Sequence, residues 1–128
     1  MKVFIALFAC VVIASAAFTK KSPEDLLRFR KECDAPDNLN IPQELQEKYS
    51  KFEYPDDELT HKHIKCVALK FETWNENDGY VPDLMLQQFG DDKKPILEKC
   101  LTKRNPDWTA EKWAWNDWKC LVQNGISK

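Results

Sequence analysis

The residues able to do chemistry in this chain are few: five cysteines, one of them in the N-terminal apolar stretch, two histidines and one Asn/Asp-rich run. Cys33, Cys66, Cys100 and Cys120 form an even set outside the N-terminal apolar stretch, and an even set in a secreted chain predicts two disulfides. Four cysteines allow three pairings, and their spacing alone does not choose among them. His61 and His63 stand two apart on a predicted helix. They therefore point to different sides and cannot share a metal as an i, i+4 pair would. A zinc cluster of His61, His63 and Cys66 would need a reduced Cys66, which secretion opposes. Both histidines are read as exposed surface groups able to titrate near neutrality. The run Asn75-Glu76-Asn77-Asp78-Gly79 suggests a calcium loop. Placing Gly79 at loop position six puts Trp74 and Met85 at positions one and twelve, where oxygen ligands are required. Serines outside the N-terminus are Ser22, Ser50 and Ser127, and none sits in a Gly-x-Ser-x-Gly turn. No phosphate-cradling glycine loop exists. The reading is no catalytic residue, no metal and no cofactor.

The elements that must position these residues follow from the periodicity. Met1-Lys2, the apolar run Val3 to Ile13 and Ala14-Ser15-Ala16 have the layout of a secretory signal peptide, residues 1–16, cleaved after Ala16 or Ala17. Residues 17–128 form one domain by length. Removal of the signal takes Cys10 and, among charged residues, only Lys2, so the formal net charge goes from −2 to −3. Mild acidity with interspersed lysines excludes a nucleic-acid-binding surface and describes a solvated exterior. No second apolar run approaches a membrane span, so no stable membrane association is expected. Three glycines are too few for the turns of a strand-rich domain.

Six helices are predicted. The first opens on Ser22-Pro23-Glu24-Asp25, a cap, a proline and two acids. The second starts near Pro42 and stops before Pro55. The third is capped by Asp56 or Asp57 and carries Ile64, Val67, Phe71 and Trp74 at steps of three, four and three. Asn75 to Gly79 ends it. The fourth runs from about Pro82 to Gly90, the fifth from about Asp92 to Lys103, and the sixth from about Asp107 to Asn124. Trp108, Trp115, Trp118 and Val122 make one stripe on the sixth helix, with Trp113, Ala110 and Leu121 on other faces. A helix apolar over so much of its circumference is buried on several sides.

The cysteine spacing and helix pattern resemble those of the insect odorant-binding proteins (PBP/GOBP). The resemblance covers nearly the whole chain after the signal. The usual family pattern has six cysteines, and Cys33, Cys66, Cys100 and Cys120 stand where the first, third, fourth and sixth would be. The stretch Glu47-Lys48-Tyr49-Ser50-Lys51-Phe52-Glu53-Tyr54-Pro55-Asp56-Asp57, followed by Ile64-Lys65-Cys66-Val67, is similar to a segment of one branch. The second and fifth cysteines are replaced by Lys62 and Glu111, as in the four-cysteine, minus-C branch. The resemblance implies an all-α fold of about six helices packed around an internal hydrophobic pocket, with disulfides Cys33–Cys66 and Cys100–Cys120. Lys62 and Glu111 carry opposite charges and are expected to pair in place of the lost bridge. That loss should also free helix six to shift against helix three.

The family implies an extracellular, non-enzymatic carrier of small hydrophobic ligands such as odorants, pheromones or fatty-acid-like molecules. Its partners would be that ligand and a chemosensory receptor, and its state a monomer or weak dimer. Expected pocket residues are Val67, Phe71, Trp74, Leu84, Phe89, Leu97, Trp115 and Trp118, about half of them being plain core. A salivary-type scavenger of amines or lipids is an alternative, and amine binding needs a carboxylate facing the pocket at Glu72, Asp83 or Asp117. A secreted signalling or structural protein with a filled core is the other.

Overall fold

The computed structural model describes residues 18–128, so the signal peptide and its cleavage point lie outside the described residues. Six α-helices account for most of the fold. Helix α1 spans Pro23–Asp34. Its start is a reciprocal capping box: the Ser22 Oγ accepts from the Asp25 N–H at 3.1 Å, and the Asp25 carboxylate accepts from the Ser22 N–H at 2.8 Å. Helix α2 spans Gln43–Ser50. Helix α3 spans Glu58–Phe71, and its cap is Asp57, whose carboxylate accepts from the Thr60 N–H at 2.7 Å.

Beyond α3 the chain departs from the predicted course. Glu72 adopts a left-handed conformation with φ +66°, which terminates the helix two residues before Trp74. Trp74 therefore stands on a short strand, β1 (Trp74–Asn75), paired antiparallel with β2 (Gly79–Tyr80). The Asn/Asp run is the turn of this hairpin. The Asn75 side-chain oxygen accepts from the N–H groups of Asn77 and Asp78 at 2.9 and 2.8 Å, the local bonding that favours Asn in turns. Gly79, at φ +71°, lies so close to the Trp113 indole that a Cβ there would sit 2.7 Å from the ring. Only glycine fits both the backbone angle and the contact.

Helix α4 spans Pro82–Phe89. A 3₁₀ turn (Asp91–Lys93) leads into α5 (Lys94–Cys100), shorter at both ends than the sequence suggests. Its early end has a cause: the Asp117 carboxylate accepts from the backbone N–H and the hydroxyl of Thr102 at 3.1 and 2.8 Å, drawing the chain off the helical path. Helix α6 spans Ala110–Gln123 and begins at the Thr109 cap, whose hydroxyl accepts from the Lys112 N–H at 3.1 Å. Trp108 thus precedes the helix, and the expected stripe loses its first member.

Helix α3 is the shared wall of the domain, with α1 packed on one side and α6 on the other; α6 also packs on α5 and β2. Disulfides Cys33–Cys66 and Cys100–Cys120 join α1 to α3 and α5 to α6. The Lys62–Glu111 pairing is not made. Lys62 pairs with Glu58 one turn back at 3.1 Å, and Glu111 pairs at 3.0 Å with Lys65. Lys65 lies one turn beyond Lys62, and Glu76 also holds it at 2.6 Å. Two carboxylates converging on a part-buried ammonium outweigh one reaching for the exposed Lys62. The bond to Glu76, with Glu111 adding to it, raises the Lys65 pKa, while partial burial opposes the shift.

Candidate functional site

The α1–α3 seam opens into a cavity of about 90 Å³. Helical spacing builds half of its wall. On α3, His63, Ile64, Val67, Ala68 and Phe71 recur three and four apart and share one face; on α1, Leu26 and Arg30 stand four apart. The chain after α2 contributes Phe52 and Tyr54. Thr73 and Tyr80 border it from the hairpin, Phe89 from the end of α4, Trp118 from α6 and Ser127 from the C-terminal turn.

The wall has an apolar part and a polar end. Phe71 and Phe89 stack at 6.4 Å between centroids, and Phe89 meets Trp118 at 6.1 Å. The polar end gathers around Tyr49. Arg30 donates to the Tyr49 carbonyl at 3.4 Å and lies over the Phe52 ring at 5.7 Å. The rings of His63 and Tyr54 stack on the Tyr49 ring at 4.1 and 5.8 Å. Burial pushes the Tyr49 hydroxyl up to about 12, and that hydroxyl shares a hydrogen bond of 2.7 Å with Thr60. Burial also raises the Tyr54 hydroxyl above its ordinary range, partly offset by the neighbouring Trp118 indole and Arg30 guanidinium. Tyr80, fully enclosed, is pushed well up by burial and donates to the Ala114 carbonyl at 3.0 Å.

Of the residues expected at a pocket, Val67, Phe71, Phe89 and Trp118 line this cavity. Trp74, Leu97 and Trp115 are core residues instead. Trp74 packs edge-on against Trp113 at 6.3 Å. Trp115 is held by its own indole N–H, which donates to the Tyr54 carbonyl at 3.1 Å. Leu97 is buried within the core cluster, and Leu84, half-buried on α4, is not part of the lining.

The histidines are not surface groups. His63 is 2% exposed, with its Nδ1 2.5 Å from the Asp34 carboxylate; His61 bonds Asp56 at 2.8 Å and packs on Trp115. Local sequence does not reveal the His63 role, because its partner lies 29 residues earlier. Arg30, Phe52 and Tyr54 were likewise outside the expected set. The i, i+4 spacing of Leu26 and Arg30 is the one sequence signal that could have found Arg30.

Among the described residues, no carboxylate lines the cavity. Glu72 is 66% exposed in its side chain and Asp83 is exposed, while Asp117 is buried at the Thr102 turn. An ammonium entering the site would meet the Arg30 cation, without an anion to balance it. No helix among the described residues is long and apolar enough to cross a membrane.

These features define a class: a helical domain with two disulfides, enclosing an apolar cavity with one polar end. The sequence comparisons make the class specific. The model of the PBP/GOBP family matches residues 15–124. Odorant-binding protein 22 of Aedes aegypti is 39% identical over 132 residues, covering 99% of this chain and 94% of the relative. General odorant-binding protein 99a of Drosophila melanogaster is 32% identical over 135 residues, covering 100% of this chain and 94% of the relative. The chain belongs to the PBP/GOBP family.

Proposed function

We propose that the protein is an extracellular carrier that holds a small hydrophobic ligand, with a compact polar head, in the α1–α3 cavity. The carrying observation is the cavity's division into an aromatic and aliphatic wall and a polar end at Arg30, Tyr54 and His63. Val67, Phe71, Phe89 and Trp118 are the apolar contacts of the ligand in this reading. The signal-like N-terminus and the two disulfides support secretion. With Cys10 removed by processing, the chain takes the four-cysteine form of the family. The names of its relatives support an odorant-like ligand.

Size sets a condition on this reading. A dry apolar cavity of ~150 Å³ admits benzene, and drug-sized sites run to about 300–1,000 Å³. At about 90 Å³ the cavity must widen for a larger guest. Phe52, 45% exposed beside Arg30, is the exposed large apolar side chain of the lining. The test is displacement of an environment-sensitive fluorescent probe by long-chain alcohols, fatty acids and small aromatics. Micromolar displacement by at least one class is expected. Absence of displaceable binding across all of them would sink the carrier reading.

A further inference from the structure

We propose that His63, oriented by Asp34, is a ligand-positioning residue that selects guests whose polar head carries an O–H donor. The proposal rests on the reading of the cavity as the ligand site.

Three sides of the His63 ring can be assigned. Its Nδ1 faces the Asp34 carboxylate at 2.5 Å, and Asp34 is itself only 7% exposed. One ring face is covered by Tyr49, with centroids 4.1 Å apart and planes 26° from parallel. The remaining ring nitrogen, Nε2, has no hydrogen-bond partner among the described residues. It is also not sealed off, because Trp74 Nε1 is the buried side-chain polar atom left without a partner there. Nε2 therefore keeps accessible surface on a residue 2% exposed overall, and the surface this residue borders is the cavity.

The chemistry of that nitrogen follows from its partner. A buried carboxylate needs a donor, so the imidazole donates its Nδ1–H to Asp34 in a hydrogen bond. In the neutral ring Nε2 then carries the lone pair and accepts. The carboxylate behind the ring strengthens that acceptor, as it does for histidines that bind metals. The arrangement is held covalently as well. Asp34 follows Cys33, and His63 stands three residues before Cys66, so the Cys33–Cys66 disulfide fixes the register of α1 against α3 beside the pair. A locked acceptor on a cavity that Arg30 and Tyr54 also line matches a hydroxyl head, which donates once and accepts at the same time. A methyl ether of the same chain sets its own lone pair against Nε2 and leaves the site unmatched.

The test compares a long-chain primary alcohol with its methyl ether on the full chain at pH 8. Probe displacement should favour the alcohol by about tenfold, the worth of one hydrogen bond. In the wild-type protein the ¹⁵N signal of His63 Nε2 should shift on adding the alcohol and stay in place with the ether. His63→Phe keeps a ring on Tyr49 and should bring the two affinities together. It leaves Asp34 without a donor, so the wild-type ¹⁵N measurement decides if the variant does not fold. Equal displacement by alcohol and ether overturns the inference and leaves the carrier reading standing. An alcohol preference with an unmoved Nε2 signal overturns it too, since recognition then lies elsewhere. Failure of every ligand class takes down both readings.

Discussion

Filling the cavity should move stability and binding in opposite directions. Ala68 is 6% exposed on α3, on the face that lines the cavity, between Ile64 and Phe71. Ala68→Leu adds three carbons to that space. Empty volume costs about 24 cal/mol per Å³ in a core, so the about 90 Å³ present here bounds the gain at about 2 kcal/mol. Ordering the new side chain returns about 0.5–1 kcal/mol. The net expectation is about 1 kcal/mol of added stability, a rise in Tm of about 4–8 °C for a domain near this size. The same carbons occupy the place of a guest, so probe affinity should fall at least tenfold. Thermal unfolding without ligand, followed by circular dichroism, reads the first effect, and probe titration reads the second. A more stable variant that binds the probe as before would refute the location of the site. A variant that loses stability and binding together would refute the volume argument, because overpacking would then dominate.

Burial raises the Asp117 carboxyl above its ordinary range, and its bonds to Thr102 and Asn116 only partly offset this. Its favourable contribution is complete below the unfolded-state pKa and is lost as pH rises through the raised folded value. Asp117→Asn removes that loss, so denaturation midpoints between pH 3 and 7 should shift in the variant's favour as pH rises; a constant gap would refute the assignment. Removing the Cys100–Cys120 bridge, which spans 20 residues, by a double alanine substitution should cost about 3 kcal/mol in urea unfolding. A loss under about 1 kcal/mol would show that the α5–α6 packing holds the register unaided. Lys65→Met should cost about 0.5–1 kcal/mol at low salt and less in 1 M salt, since its pairs with Glu76 and Glu111 are partly exposed; an effect indifferent to salt would refute an ionic role.

The parts of the fold legible in the sequence are those fixed by local chemistry. Ser22-Pro23 and Asp57 cap their helices through atoms three residues away. Gly90 ends α4, and the family's cysteine framework carries the observed pairing. The misplacements have long-range or conformational causes. The apolar period of α3 runs straight on to Trp74, but Glu72 takes a left-handed angle that no glycine announces. The end of α5 depends on Asp117, fifteen residues beyond Thr102. Half of the expected pocket residues line the cavity because α3, α4 and α6 turn them inward; the rest were chosen by type, and large aromatic side chains serve a core equally well. Arg30 lies outside the expected set, and His63 reads as a surface group, because charge reads as surface until a partner is known.

No disulfide among the described residues joins α3 to α6, which alone suggests that α6 is the mobile element. Yet α6 is held along its length without that tie. Glu111 pairs with Lys65, the Trp115 indole donates to the Tyr54 carbonyl, the Ala114 carbonyl accepts from Tyr80, and the Trp113 indole donates to Thr102 at 3.1 Å. The Gly79 contact pins the Trp113 ring further. The opposite rim is tied mainly within its own turn, the Phe52 N–H donating to the Tyr49 carbonyl at 3.0 Å and Arg30 lying over the Phe52 ring. Phe52 carries φ +60°, an angle costly for an aromatic residue, and its ring is 45% exposed over the polar end. Strain and exposure coincide on one turn at the cavity, while bonds and contacts concentrate on α6. A guest larger than the resting cavity should therefore move the amide NMR signals of Lys51 and Phe52 more than those of α6, and the reverse order would refute this reading.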